Sequence, residues 1–266
     1  MHEDGEAFYH RAGEDAFVPT RATTSAWDDA LQHGSPPTAL LARMMTERHP
    51  RDDMRIARIG AEFLGPIPRS TVVVRTRVVR PGKRIELLEG VLEANGREVV
   101  TARAWRIATK PAGTVPAGKT PSEVVPPLPP EQTQSNSFGI VDWGYAQAFE
   151  WRFVRGGLGT IGPAAVWTRV RIPLIAGEPQ HALDRLLLVA DSANGISGEL
   201  SPHEWLFVPP TIALALVRYP DGEWTFMEAR TTLSEDGIGV TSARYGDRLG
   251  FLGAGTQALL IEPRPR

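Results

Sequence analysis

The sequence predicts an α+β protein of two tandem units, residues 1–109 and 138–266, each an antiparallel sheet wrapped around one central helix. Three observations carry this. A stretch rich in proline, glycine and small polar residues divides the 266 residues near the middle. On each side of it a helical pattern is followed by strand-like runs separated by turn signals. The two series also match in spacing. Pro68 and Trp105 stand as far apart as Pro220 and Gln257, and both spans cover strand, turn, strand, turn, strand. A helix followed by antiparallel strands packs onto one face of a curved sheet. Joining two such sheets edge to edge hides an exposed strand edge on each.

In the first unit, Thr38 to Arg48 (TALLARMMTER) is rich in strong helix formers, with Leu40, Leu41, Met44 and Met45 at helical spacing. Strand-like runs follow at Ile56–Leu64 and at Ser70–Arg80, where Val72, Val74, Thr76 and Val78 alternate with other residues. Pro81-Gly82 turns the chain into Ile85–Glu93. Asn95-Gly96 is a tight hairpin signal leading into Val99–Ala108. The second unit repeats the order. A helix over Ala182–Ala190 (ALDRLLLVA) ends at Asp191 and the small-residue stretch SANGISG. Strands follow over Thr211–Arg218, Trp224–Leu233, Ile238–Tyr245 and Phe251–Ile261, with turns at Asp221-Gly222 and Gly246-Asp247. Between the units, residues 110–137 (KPAGTVPAGKTPSEVVPPLPPEQTQSNS) show neither hydrophobic period. Their prolines suit neither a helix interior nor a central strand, so the segment reads as an extended linker over a surface.

Composition narrows the functions. Hydrophobic residues at 42% and charged residues at 23% are globular values, enough to build a core without metal or disulfide staples. Cysteine is absent, which excludes disulfides, thiolate zinc sites and cysteine nucleophiles. The formal net charge is -2 with both signs intermixed and no basic block, so no nucleic-acid partner is expected. Met1 to Ala16 is polar and acidic where a signal peptide is apolar, and no apolar run approaches the ~20 residues of a membrane span. The expectation is a soluble, cytoplasmic protein without membrane association. The six histidines lack metal-ligand spacing, RGGLGTIGP lacks the context of a phosphate loop, and no GxSxG elbow occurs. No metal or cofactor is expected.

Several segments resemble a known family. HGSPPTALLARMM (His33–Met45) resembles the opening of the central helix in hotdog-fold thioesterases. VWTRVRIPLIAGE (Val166–Glu178), LLLVADSANG (Leu186–Gly195), VRYPDGEWTFMEARTTLSEDGIG (Val217–Gly239) and YGDRLGFLGAGTQALLI (Tyr245–Ile261) resemble the C-terminal domain of type II, TesB-like acyl-CoA thioesterases. The resemblance spans the chain apart from its first twenty residues and the linker. It implies a double hotdog fold, an acyl-CoA substrate, and hydrolysis by water that an Asp and a Gln activate.

Asp191 follows the apolar run LLLVA. Its ordinary role is a cap or turn carboxylate; the resemblance implies the catalytic base. Gln257 lies in the strand-like GAGTQALLI, where an inward amide without partners costs about 1–3 kcal/mol. It either faces solvent or, as the resemblance implies, holds the nucleophilic water beside the Asp. The family's third polar residue falls here at Pro209, which has no side-chain donor or acceptor. Thr211, two positions on, is a substitute or an ordinary β-branched strand residue. His33 and Gly34 precede Ser35-Pro36-Pro37, with Ser35 a plausible cap. Amides at a helix start form a small positive pole suited to a thioester carbonyl, and the resemblance implies that use of Gly34. His33 is the second candidate for contact with the substrate, and otherwise a surface or capping residue. Arg218, Arg244 and Arg248 are candidate contacts for the CoA phosphates, although surface arginines are common. Two rivals stand beside the thioesterase: a non-catalytic acyl-CoA-binding or scaffold protein, and a hydratase, which needs a His near Asp191. Sheet edges leave room for a homodimer.

Overall fold

The computed structural model describes residues 6–116, 118, 124–133 and 143–264. The first unit comprises β1 (Tyr9–Arg11), β2 (Ala16–Pro19), α1 (Ser35–Arg48), β3 (Met54–Phe63), β4 (Val72–Arg80), β5 (Ile85–Ala94) and β6 (Arg97–Ala108). The second comprises α2 (Gly144–Gln147), β7 (Phe149–Arg155), β8 (Ala164–Val170), α3 (Ala182–Ala190), α4 (Ala193–Ile196), β9 (Trp205–Val208), β10 (Thr211–Leu216), β11 (Trp224–Leu233), β12 (Ile238–Asp247) and β13 (Gly250–Pro263).

All strands join one antiparallel sheet in the order β1-β2-β4-β5-β6-β3-β10-β13-β12-β11-β8-β7, with β9 pairing β13. Read outward from the β3–β10 junction, the two halves run identically. A single offset relates them. The pairs Val78–Leu88 and Leu88–Ala104 of the first half correspond to Thr231–Thr241 and Thr241–Gln257 of the second. At the junction Gly60 pairs with Ala213, its own counterpart, so a pseudo-two-fold axis passes there. The double hotdog arrangement is therefore present, with one adjustment to the spacing argument. Gln257 corresponds to Ala104 and not to Trp105. A slip of one residue exchanges the two faces of a sheet, and the buried face carries Ala104 and Gln257.

Each helix lies in the hollow of its half-sheet, and the two helices pack against each other. Residues 35 to 45 of α1 are buried all round because sheet and partner helix enclose them. The helix begins at Ser35, three residues before the predicted start, with Pro36 and Pro37 in its first turn, where the missing N–H groups cost nothing. Asn95 and Gly96 adopt φ +51° and +74°, the left-handed pair of the predicted tight hairpin.

The short strands β1, β2, β7, β8 and β9 carry no clear alternation and were not expected. The first two bury Tyr9 and Phe17 and complete the sheet of the first half. The outer edge of β1 bonds to the chain after β8: Tyr9 N–H donates to Leu174 O at 3.0 Å, and Ala176 N–H to Tyr9 O at 2.9 Å. At β7 the Gln132 amide bonds both backbone groups of Phe153, at 2.7 and 2.9 Å. A dimer through sheet edges thus meets positions already hydrogen-bonded. The described part of the linker has neither helix nor strand, and Pro126 and Pro129 accept from Trp167 and Arg152 on the second half-sheet. Among the described residues no helix is long and apolar enough to cross a membrane.

Candidate active site

The apolar residues Leu186–Ala190 anchor α3 in the core, and the small residues after Asp191 let the chain kink into α4. This delivers Asp191 to the place where the last turn of α3 meets the first turn of α1. Its N–H donates to Ser35 Oγ at 3.0 Å. Ser35 therefore does not cap its own helix, as the sequence suggested; it ties the two helices together.

Gln257 is 2% exposed and enters from β13. Its Nε2 donates to Asp191 Oδ1 at 2.7 Å and to the Asp191 backbone oxygen at 3.2 Å, while its Oε1 accepts from Asn194 N–H at 3.1 Å. Both donors and an acceptor of the amide are used, so its burial carries no unmet polar cost. The Asp191 side chain is 5% exposed. Among the described residues no Lys or Arg pairs with it. Burial pushes its carboxyl up to about 7, and the donors from Gln257 and the Gly34 amide hold it there against a further rise. A carboxyl near 7 can take or give a proton at neutral pH.

His33 comes from the other unit and lies with Nδ1 3.5 Å from Asp191 Oδ2. This contact is not an ion pair. Nδ1 accepts from Ser35 N–H at 3.2 Å, which places the ring proton on Nε2, and burial pushes the imidazole down to about 3. The neutral ring stacks on Tyr145 with centroids 4.0 Å apart. Tyr145 in turn donates to Leu188 O at 2.5 Å and, its one proton so used, accepts from Ser192 Oγ at 2.8 Å, clamping the end of α3. Tyr145, Ser192 and Asn194 were not singled out from the sequence. Tyr145 sits in a four-residue helix with no period to read, and the other two look like ordinary turn residues.

Gly34 lies so close to the carboxylate that a Cβ there would stand 2.7 Å from Asp191 Oδ2 and 2.5 Å from the Phe63 ring. A side chain here would have to displace the Phe63 ring and the carboxylate. The start of α1 is a sparser source of amides than expected, because Pro36 and Pro37 carry no N–H and Ser35 N–H is taken by His33. The Gly34 amide remains, turned toward Asp191.

Thr211 is not brought to this group. Ala213 pairs with Thr256, one residue before Gln257, which puts Thr211 on the face opposite Gln257. Its hydroxyl donates to Ala61 O at 3.1 Å and ties β10 to β3. The arginines considered for phosphate are all in ion pairs: Arg218 with Asp247, Arg244 with Glu228 and Arg248 with Asp221. Two large grooves, about 1100 and 650 Å³, lie on the second unit and between it and linker residues 124–128 respectively, and neither Asp191 nor Gln257 lines them. Among the described residues no group of three or more His, Asp or Glu is placed to hold a metal ion.

Residues 23–107 match the family model of the acyl-CoA thioesterase N-terminal domain, and residues 121–261 that of the acyl-CoA thioesterase C-terminal domain. No curated protein matches the chain in sequence. Among solved structures, a putative thioesterase II from Thermobifida fusca superposes with TM-score 0.70 at 17% identity, covering 97% of each chain. Acyl-CoA thioesterase II TesB2 from Mycobacterium marinum gives 0.68 at 13%, covering 96% of this chain and 95% of that one. A hot dog fold protein of unknown function from Alicyclobacillus acidocaldarius gives 0.70 at 16%, covering 99% and 97%. At such identities these likenesses speak for the fold alone, a double hotdog. The family models, which together run from residue 23 to residue 261, place the chain in the acyl-CoA thioesterase family.

Proposed function

We propose that the protein hydrolyses an acyl-CoA thioester with Asp191 as general base. The observation that carries this is the buried Asp191 carboxyl, held at 2.7 Å by Gln257, without a cation and poised near neutral pH. Oδ1 is committed to Gln257, so Oδ2 is the oxygen that takes a proton from water. The water oxygen attacks the thioester carbon, the tetrahedral intermediate expels the CoA thiolate, and the proton on Asp191 passes to the sulfur. Free acid and free thiol result, and the base is regenerated. Proton transfer of this kind contributes about 10²–10⁴-fold.

Gln257 acts on the carboxylate by fixing its orientation, in place of the direct hold on water that the resemblance implies. The Gly34 amide serves two anions in turn. It faces the carboxylate at rest, and once Asp191 is protonated its better acceptor is the oxyanion formed in the same step. His33 is a neutral wall of the site. Thr211 has no part in the chemistry.

One observation favours a second reading. The juxtaposition of His33 and Asp191 supplies the His that a hydratase needs and that the sequence around Asp191 lacks. Incubation with saturated and 2-enoyl-CoAs in the presence of a thiol reagent separates the readings. Thiol release that Asp191→Asn abolishes supports hydrolysis; a gain of one water by the enoyl thioester without thiol release supports hydration. Binding without turnover of either substrate would leave an acyl-CoA-binding scaffold.

A further inference from the structure

We infer that Phe63 is the gate of this site: its ring covers the open side of the Asp191 carboxylate, and an acyl group with apolar bulk next to the carbonyl gains access by displacing it. The inference rests on Asp191 as the base and adds to it a route of approach and a substrate preference.

Three sides of the carboxylate are closed. Gln257 shuts the Oδ1 side, the core behind α3 the second, and the stack of His33 on Tyr145 the third. What remains is the Oδ2 side over Gly34. There the ring edge of Phe63 and Oδ2 face one point, 2.5 and 2.7 Å away from it respectively. Phe63 is partly exposed, while Asp191 and Gln257 beneath are 4% and 2% exposed. Solvent thus reaches the ring, Gly34 and His33, all partly exposed, and stops above the carboxylate.

The backbone of Phe63 is fixed and its side chain has somewhere to go. Its N–H donates to Pro210 O at 2.8 Å, and it pairs with Val100 at the end of β3. Beyond it, Leu64 is 55% exposed and Gly65 has open space where a side chain would be. A turn about χ1 carries the ring outward without disturbing the sheet, and side chains at this exposure change rotamer on fast timescales. An apolar acyl segment in the vacated place keeps the carboxylate dry and its hydrogen bonds strong. An acetyl group leaves the gap to water.

The test is Phe63→Ala, read in two ways. The Asp191 carboxyl, followed by carbon NMR on labelled protein, is expected to titrate about one pH unit lower, because removing the ring returns solvent to the carboxylate. The ratio of kcat/KM for medium-chain over acetyl-CoA is expected to fall. Phe63→Leu, which retains apolar cover, is expected to keep the wild-type titration. An unchanged titration in folded Phe63→Ala, or an unchanged ratio, overturns the gate. Absence of thiol release by the wild-type protein would instead sink the hydrolase reading, and the titration would still decide whether Phe63 shields Asp191.

Discussion

The two ends of the α1–α3 pair are built alike and hold opposite chemistry. At one end the last turn of α3 meets the first turn of α1, with Gln257 above. At the other the second half of α1 meets the start of α3, and the sheet position matching Gln257 is Ala104. Arg43 is buried there, bonded to Asp184, to Pro179 O at 2.9 Å and to Glu178 at 3.3 Å, while Arg11 bridges Glu178 and Glu47. Both ends bury a carboxylate. At the second end burial raises the Asp184 carboxyl and Arg43 beside it pulls it back. At the first, no cation among the described residues opposes burial, and Asp191 responds by holding its proton to about 7. The duplicated fold offers two equivalent niches. A cation fills one and makes it structural; its absence leaves the other able to exchange protons.

The largest expected effect comes from removing the unpaired carboxylate. Asp191→Asn should lower kcat/KM by about 10²–10⁴-fold, the worth of a positioned base. The same change should stabilise the protein at neutral pH. In the wild type, folded Asp191 keeps a proton that the unfolded chain releases above its ordinary value of 3.8. Stability therefore falls as pH rises from about 4 to about 7 and levels off above, a loss on the order of 4 kcal/mol for a shift of this size. Asparagine has no such loss, so the gain in Tm of Asp191→Asn should grow across this interval. Thermal melts at pH 4, 6 and 8 check it. In activity the sign reverses: wild-type kcat/KM should rise with pH through about 7 as Asp191 ionises.

At the other end the cation is the part to remove. Arg43→Met leaves Asp184 and Glu178 without their buried partner and should cost about 3–5 kcal/mol in denaturant unfolding. The double variant Arg43→Met with Asp184→Leu should recover most of that, since an apolar pair avoids the desolvation of both charges. Arg43 Nε has no partner in the present arrangement, which favours this outcome. Neither variant should move the pH midpoint of activity. A shift would show that the two ends are electrostatically coupled and the comparison too simple.

The comparison also shows what the sequence could and could not reveal. The long elements were legible because their residues repeat at a definite period: α3 and β11 begin and end where the pattern does. Gln257 stood out as a polar residue where an apolar one packs at lower cost, and Asp191 through the family resemblance of its segment. What joins them was not legible. His33 and Ser35 reach Asp191 from the other unit, and Tyr145 clamps the end of α3 from more than forty residues earlier in the chain; no local pattern encodes contacts across such separations. The ion-paired end was equally hidden, since Arg43 reads as a solvated arginine on an ordinary helix until the second helix covers it. Thr211 shows the opposite error. Counting along a strand assumed regular ignores the break between β9 and β10 at Pro209 and Pro210, and with it the face that Thr211 occupies.

Gln257 and Thr211 supply the smaller effects, and they separate the inner face of the sheet from the outer. Gln257→Leu removes a donor that holds the Asp191 carboxyl down, so the pH midpoint of activity should move above about 7 and kcat/KM at pH 7 should fall about 10- to 100-fold, in line with the 1.5–3 kcal/mol of a hydrogen bond to a charged group. Thr211→Val removes one hydroxyl bonded to a backbone carbonyl on the outer face. It should cost about 0.5–1.5 kcal/mol of stability and leave kcat/KM and its pH midpoint unchanged. If Thr211→Val instead reproduced the pH shift of Gln257→Leu, the alternation of faces along β10 would be misassigned, and the polar group around Asp191 would have to include the residue that register now places outside it.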